Sequence, residues 1–200
     1  MATSAQQPIQ FRFAARKALA AIHFMVDRHE GIDLHSMLKA CYFADKDHLN
    51  SHGRPIFGAT YRAMRYGPVP LEIYEMAKAE PIWLAEMELD DLPWNVRGHQ
   101  LYRNNNWNAA PDMRALSPSD RESIKRGFEG ACAMTFDEQT AATHGPDWQA
   151  ARLGSMRYED MMDDGPGKAE RVAELRESAP FMRLWPYAST PPTLGRYLDP

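Results

Sequence analysis

Two successive apolar stripes at helical spacing, each closed by a glycine, constrain this chain more than any other feature. Phe11, Ala15, Ala18, Ile22, Met25 and Val26 recur at intervals of mostly three and four, and the stripe stops at Glu30-Gly31. Leu34, Leu38, Cys41, Tyr42, Asp45 and Leu49 repeat the pattern and stop at Gly53, with Pro55 close behind. Side chains at such intervals line one side of an α-helix, so the spacing predicts helices over about 10–29 and from Asp33 to Gly53. Asp33 is a good N-cap, and Gly53 suits the left-handed position that ends a helix. One-sided helices must bury those sides against other elements, so the chain is expected to form a packed helical domain.

The period then changes. Ala59 to Tyr66 alternates β-formers, which predicts a short strand or hairpin after the second helix. Gly67-Pro68-Val69-Pro70 reads as a hard turn, and Pro70 suits the first position of a third helix that carries Leu71, Ile73, Tyr74 and Ala77 and stops before Pro81. Residues 81–115 carry little pattern; Val96 to Arg103, with Gly98 inside, reads as a hairpin or an extended excursion. Ser117-Pro118-Ser119-Asp120 is a helix start, and Thr135 with Glu138 is a capping box for a helix reaching about Thr143. His144-Gly145-Pro146 breaks that helix and Asp147-Trp148 opens another; short helices follow over 155–163 and 168–178. Pro180, Pro186, Pro191 and Pro192 read as an extended arm, with Phe181, Leu184 and Trp185 available to pin it. The expected fold is mainly α with a small β element: a flexible tail over 1–9, one compact domain over 10–165, and a C-terminal helix with a Pro-rich arm over 166–200.

The 200 residues are 44 % apolar and 25 % charged, which are globular proportions. No apolar run is long enough to span a membrane, and the N-terminus lacks a basic and an apolar region, so a cytoplasmic location is expected. Cys41 and Cys132 are too few for a disulfide framework. Charge is uneven, with a net of +4 over residues 1–65 and −8 over 66–200. Arg12, Arg16, Lys17, Arg62 and Arg65 form at most a small basic patch, read as a solvated face with local ion pairs; DNA binding is not supported.

Catalytic signatures are weak. Asp45, His48 and His52 fall on one side of the second helix at metal-ligand spacing, but no second ligand cluster accompanies them, so a solvent-facing or capping role is expected. His144 beside Asp147 is the best acid–base pair; the competing reading is that Thr143 and His144 close a helix end under Trp148. Asp160, Asp163 and Asp164 lack a calcium-loop pattern. No nucleophile elbow, phosphate loop or dinucleotide fingerprint is present, and neither a cofactor nor a metal is expected. Tyr and Trp are plentiful, and those not needed in a core commonly anchor protein interfaces.

Three ordered blocks are more specific. Leu38–Gly58 reads LKACYFADKDHLNSHGRPIFG, Tyr61–Glu75 reads YRAMRYGPVPLEIYE, and Leu116–Gly130 reads LSPSDRESIKRGFEG before THGPDW at Thr143–Trp148. The series resembles the Panacea, or SocA-like antitoxin, domain associated with phage proteins. Lys39, Tyr42, Phe43, Ala44, Asp45, His48 and Leu49 match its helix motif, and Gly53, Arg54 and Pro55 its turn. Tyr66, Gly67, Pro68 and Val69 match the second block, and Leu116, Ser117, Thr143, His144 and Trp148 the third. Ala40-Cys41 departs from the larger aliphatics of that pattern. The resemblance runs over about 15–165 and implies the antitoxin of a type II toxin–antitoxin pair. Such a protein neutralises a cognate protein toxin, encoded by an adjacent gene, through direct contact. Alternatives are a phage-associated interaction module with another host target, or a small hydrolase or metal enzyme using His144/Asp147 or Asp45/His48/His52. Lys39, Tyr42, Phe43, Gly53, Pro55, Gly67, Pro68, Thr143, His144 and Trp148 are expected to hold the fold. Asp45, His48, Arg62, Arg65 and Tyr66 are expected to face the partner.

Overall fold

The structure is a computed structural model that describes residues 7–184, with side chains as far as 182. Residues 1–6 of the expected tail, and Trp185, Pro186, Pro191 and Pro192 of the expected arm, lie outside the described residues. The architecture is mainly helical with two small sheets, as the periodicity predicts.

The second helix is the axis. α1 spans Ala15–Arg28 and α2 spans Leu34–His52. Asp33 caps α2 by accepting from the Ser36 N–H, and Gly53 closes it at φ 66°. α5 (Pro118–Cys132) packs along α2 more extensively than any other element. Gly127 allows this. A Cβ there would lie 2.5 Å from the Ala40 carbonyl and 2.8 Å from the Ala44 nitrogen, so the two backbones approach as only glycine permits. The small residue Ala40, a departure from the family pattern, therefore stands where the helices nearly touch. Ala40, Cys41, Ala44, Ile22, Met25, Met37, Leu49 and Ile124 are all fully buried in the common core.

The capping signals at Ser117/Asp120 and Thr135/Glu138 both form complete capping boxes, and α6 runs Phe136–Thr143. α3 spans Leu71–Ala77 after Pro70, and α7 spans Pro146–Ala151. Strand β1 (Ile32–Asp33) joins β4 (Trp94–Arg97) and β5 (Gln100–Arg103) in an antiparallel sheet ordered β1-β5-β4. The hairpin foreseen around Gly98 is thus real, and the Leu34 N–H docks α2 onto its turn at the His99 carbonyl, 2.7 Å away.

Several expectations are corrected. Gly67-Pro68-Val69-Pro70 is not a turn but strand β3, paired antiparallel with β2 (Tyr61–Met64); the turn is Arg65-Tyr66. Pairing of Ala63 with Pro68 and Tyr61 with Pro70 makes this possible. The Ala63 N–H turns away from β3 to the Gly154 carbonyl, so the positions facing the two prolines exchange no ladder bonds and no proline donor is missed. The first helix starts at Ala15 rather than near residue 10. Residues 7–14 form no helix: the Ala14 N–H is taken by the Phe57 carbonyl, while Phe11 and Phe13 pack edge-on against Tyr158 and Trp83. Ile9, assigned to the loose tail, is buried, and its N–H reaches Glu159. Pro81 does not only end α3; it opens α4 (Pro81–Met87). Only Tyr158–Met161 of 155–163 is helical (α8), because Ser155 pairs with Arg62 instead. α9 runs from Lys168 through Pro180 to Leu184, with Leu175 and Ala179 buried against the body.

Asp120 ties the ends of α1, α2 and α5 together. Its carboxylate takes Lys17 Nζ at 2.7 Å, Arg54 at 3.2 Å and the Ser117 N–H at 2.9 Å. Burial alone would raise its pKa, but these donors outweigh it and hold the carboxyl below its ordinary value. Asp120→Ala removes the ion pair of the buried Lys17 and is expected to cost about 3–5 kcal/mol of stability by urea denaturation. Asp120→Asn, which keeps an acceptor, is expected to lose less.

Candidate partner-binding surface

Four polar residues of α2 fall every three positions: Lys39, Tyr42, Asp45 and His48. All four are buried, at most 2 % exposed, and each is satisfied by a different part of the chain. Lys39 Nζ donates to the Pro68 carbonyl of β3 at 3.0 Å. The Tyr42 hydroxyl donates to Asp147 on α7, whose carboxylate also takes Lys46 at 3.1 Å. Asp45 accepts the Ile56 and Phe57 N–H groups at 2.7 and 2.9 Å and the Tyr61 hydroxyl at 3.0 Å. His48 Nδ1 lies 2.8 Å from the Arg54 carbonyl, which fixes it as a donor there, and Nε2 faces Ser119 and Asp120 of α5.

This geometry corrects two expectations. Asp45 and His48, expected to face a partner, are both 0 % exposed and hold α2 to its surroundings. Nor do Asp45, His48 and His52 form a ligand set. The oxygens of Asp45 and both ring nitrogens of His48 are engaged elsewhere, and His52 is exposed, its ring tilted against that of His48 with centroids 4.5 Å apart. Among the described residues no three His, Cys, Asp or Glu side chains are grouped to hold a metal ion. Burial pushes the Asp45 carboxyl up to about 6 against its three donors, and burial lowers His48.

His144 and Asp147 do not form a dyad either. The His144 ring stacks flat on Trp148 with centroids 3.7 Å apart, while Asp147 serves Tyr42 and Lys46. The Thr143 hydroxyl donates to the Gln139 carbonyl at 2.8 Å, and His144 is the C-cap of α6. Thr143 and His144 thus stand at the end of α6 with Trp148 over the His144 ring, while the cap bond comes from the His144 backbone N–H and the ring Nε2 is buried without a hydrogen-bond partner among the described residues. The basic patch does not assemble: Lys17 is buried on Asp120, and Arg12 pairs with Glu86 at 3.7 Å.

The motif residues converge under one hairpin. Gly67 has φ +99°, and a Cβ there would stand 2.3 Å from Thr143 Oγ1 and 2.8 Å from Lys39 Nζ. The β2–β3 hairpin can thus press onto α2 and α6 only because residue 67 has no side chain. Trp148 Nε1 donates to the Met64 carbonyl at 2.9 Å and clamps the hairpin from α7. Burial lowers the Lys39 pKa to about 7, and no carboxylate pairs with it among the described residues.

What this clamped hairpin presents is apolar. Met64 is 45 %, Tyr66 47 %, Phe136 47 % and Leu153 59 % exposed; these are four of the seven large apolar side chains that are exposed among the described residues. Tyr66 packs edge-on against Phe136 at 5.2 Å, and Phe136 lies on His35 at the first turn of α2, 4.3 Å away. The antiparallel bridge between Arg62 and Ser155 brings the loop that carries Arg152 and Leu153 up to β2. Arg152 and Leu153 are held at φ 46° and 62°, in the left-handed region that non-glycine residues rarely adopt. Arg62, Arg65 and Tyr66 of the expected partner-facing set are exposed here. Met64, Phe136 and Leu153 were not anticipated. Phe136 has the helical phase of buried Gln139 and Thr143, so periodicity assigns it inward, and nothing local marks Leu153 as outward-facing.

The result is a mainly helical domain with a stapled hairpin held at its surface, and no described helix is long and apolar enough to cross a membrane. The chain belongs to the family described as antitoxin SocA-like, Panacea domain, whose profile matches residues 37–149. That span runs from α2 into α7 and takes in the four α2 staples, the hairpin, Phe136 and Trp148, leaving α1, α8 and α9 outside. No curated protein and no solved structure is significantly similar to the chain.

Lys39 gives a pH test. Its ordinary pKa is 10.5 and its folded value is about 7, so between these the unfolded chain holds the extra proton. Stability from this group therefore rises with pH across that window and is flat below it. Relative to Lys39→Met, the wild-type chain should gain stability between pH 7 and pH 9.5 in paired denaturant titrations. Gly67→Ala, which meets Thr143 and Lys39, is expected to lose at least about 2 kcal/mol in the same measurement.

Proposed function

We propose that this chain is the antitoxin of a type II toxin–antitoxin pair and neutralises a protein toxin by binding it through the surface of Met64, Tyr66, Phe136 and Leu153. The observation that carries this reading is the placement of that exposed apolar cluster directly over the family's motif residues. Lys39, Gly67, Thr143 and Trp148 fix the hairpin whose turn is Arg65-Tyr66. A surface already rigid before contact loses less entropy on binding, and aromatic residues at its centre supply most of the energy. The domain acts on this reading as a binding protein and not as a catalyst: Asp45, His48, Asp120 and Asp147 each tie separate elements of the fold together.

The test is co-expression with the product of the adjacent gene. Growth should stop when that product is induced alone, recover with the wild-type chain, and fail to recover with Tyr66→Ala/Phe136→Ala. Both positions are half exposed, so the variant should keep its thermal unfolding midpoint within a few degrees. Toxicity from neither neighbour, or full rescue by the folded double variant, overturns the reading.

A further inference from the structure

Three arginines border the exposed apolar cluster. Arg62 stands on β2 and is paired in register with Ser155, Arg65 forms half of the hairpin turn, and Arg152 precedes Leu153. All three are exposed. None has an ion-pair partner among the described residues, whereas eleven other Lys and Arg side chains, such as Lys46, Arg126 and Arg157, do. Arg65 lies 5.2 Å over the Tyr66 ring, which sets its guanidinium against an aromatic side chain of the apolar cluster. On the α6 side the balance is different: Phe136 is followed by Asp137 and by Glu138, whose carboxylate is already held by Thr135. The Arg edge is therefore locally cationic on a chain whose overall charge is −4.

Resting on the antitoxin reading above, we infer that the toxin's docking face carries a cluster of Asp and Glu side chains that meet Arg62, Arg65 and Arg152 around an apolar centre. The argument is charge complementarity. Three unpaired guanidiniums around exposed aromatic side chains repel a basic face and pair bidentately with carboxylates. A second copy of this chain centred on the hairpin turn would set the two Arg65 guanidiniums against each other, so self-association does not satisfy this edge. The Arg residues steer encounter and fix register, while Tyr66 and Phe136 supply the buried contact.

The experiment uses the full chain and the adjacent-gene product that it rescues. Arg62→Glu/Arg65→Glu/Arg152→Glu should weaken the purified complex about 100-fold, mainly by slowing association, and should abolish growth rescue. A control reversing the same amount of charge elsewhere, Arg97→Glu/Arg114→Glu/Lys125→Glu, should change affinity less than about threefold. Raising salt from about 0.1 to 0.5 M should weaken the wild-type complex about tenfold and the reversed one far less. Selection for toxin variants again neutralised by the reversed chain should return Asp or Glu replaced by Lys or Arg. A complex that Tyr66→Ala breaks but charge reversal and salt leave unchanged overturns this inference and leaves the antitoxin reading standing. A killing neighbour that the wild-type chain neither rescues nor binds overturns both. A concentration-dependent dimer lost in Tyr66→Ala overturns the inference in favour of a second copy as occupant.

Discussion

The structure depends on the burial of α2 on nearly every side. A helix so enclosed keeps the polar groups of its middle turns from water, so those side chains find partners in neighbouring elements. Lys39, Tyr42, Asp45 and His48 solve this by their spacing. Three residues advance a helix roughly 60° short of a full turn, so four such residues fan across about half its circumference. One meets β3, one α7, one the 56–57 loop and Tyr61, and one the start of α5. A strip that reads locally like a ligand set is a set of four ties pointing four ways.

Those ties decide what remains at the surface. The hairpin sits between α2 and α6 because Gly67 leaves room for Lys39 and Thr143, and Trp148 holds its outer strand. Its turn then carries Arg65 and Tyr66 outward beside Phe136, and the pairing of Arg62 with Ser155 brings in the loop of Arg152 and Leu153. The loop's two left-handed residues are the kind of local strain that persists where surrounding structure over-determines it. A rigid base beneath an exposed aromatic and arginine-edged face is a build suited to gripping another protein, in keeping with membership of a SocA-like antitoxin family.

Much of this was legible from residue order alone. The caps at Asp33, Ser117 and Thr135, the stop at Gly53 and the apolar stripes of the first two helices are local signals. Their physics closes within one or two turns of chain, so sequence carries it. The end of α6 at Thr143 and His144 closes locally in the same way. Other elements were not. Pro68 and Pro70 look like a turn until the register shows that their missing donors face away from β2. Residues 10–14 have helical phase but are claimed by Phe57 and Tyr158, residues far along the chain.

The sequence by itself determined the helical class, most helix boundaries and the family motif, because caps, glycines and periodicity act over a few residues. Only the tertiary structure decided which polar residues face inward and which apolar ones face outward. Asp45 and His48 are buried because elements far along the chain, Tyr61 and Asp120 among them, supply their partners. Phe136 and Leu153 are exposed at helix ends, Phe136 at the start of α6 and Leu153 just past the end of α7. Burial is set by the whole packing, and no local pattern encodes it.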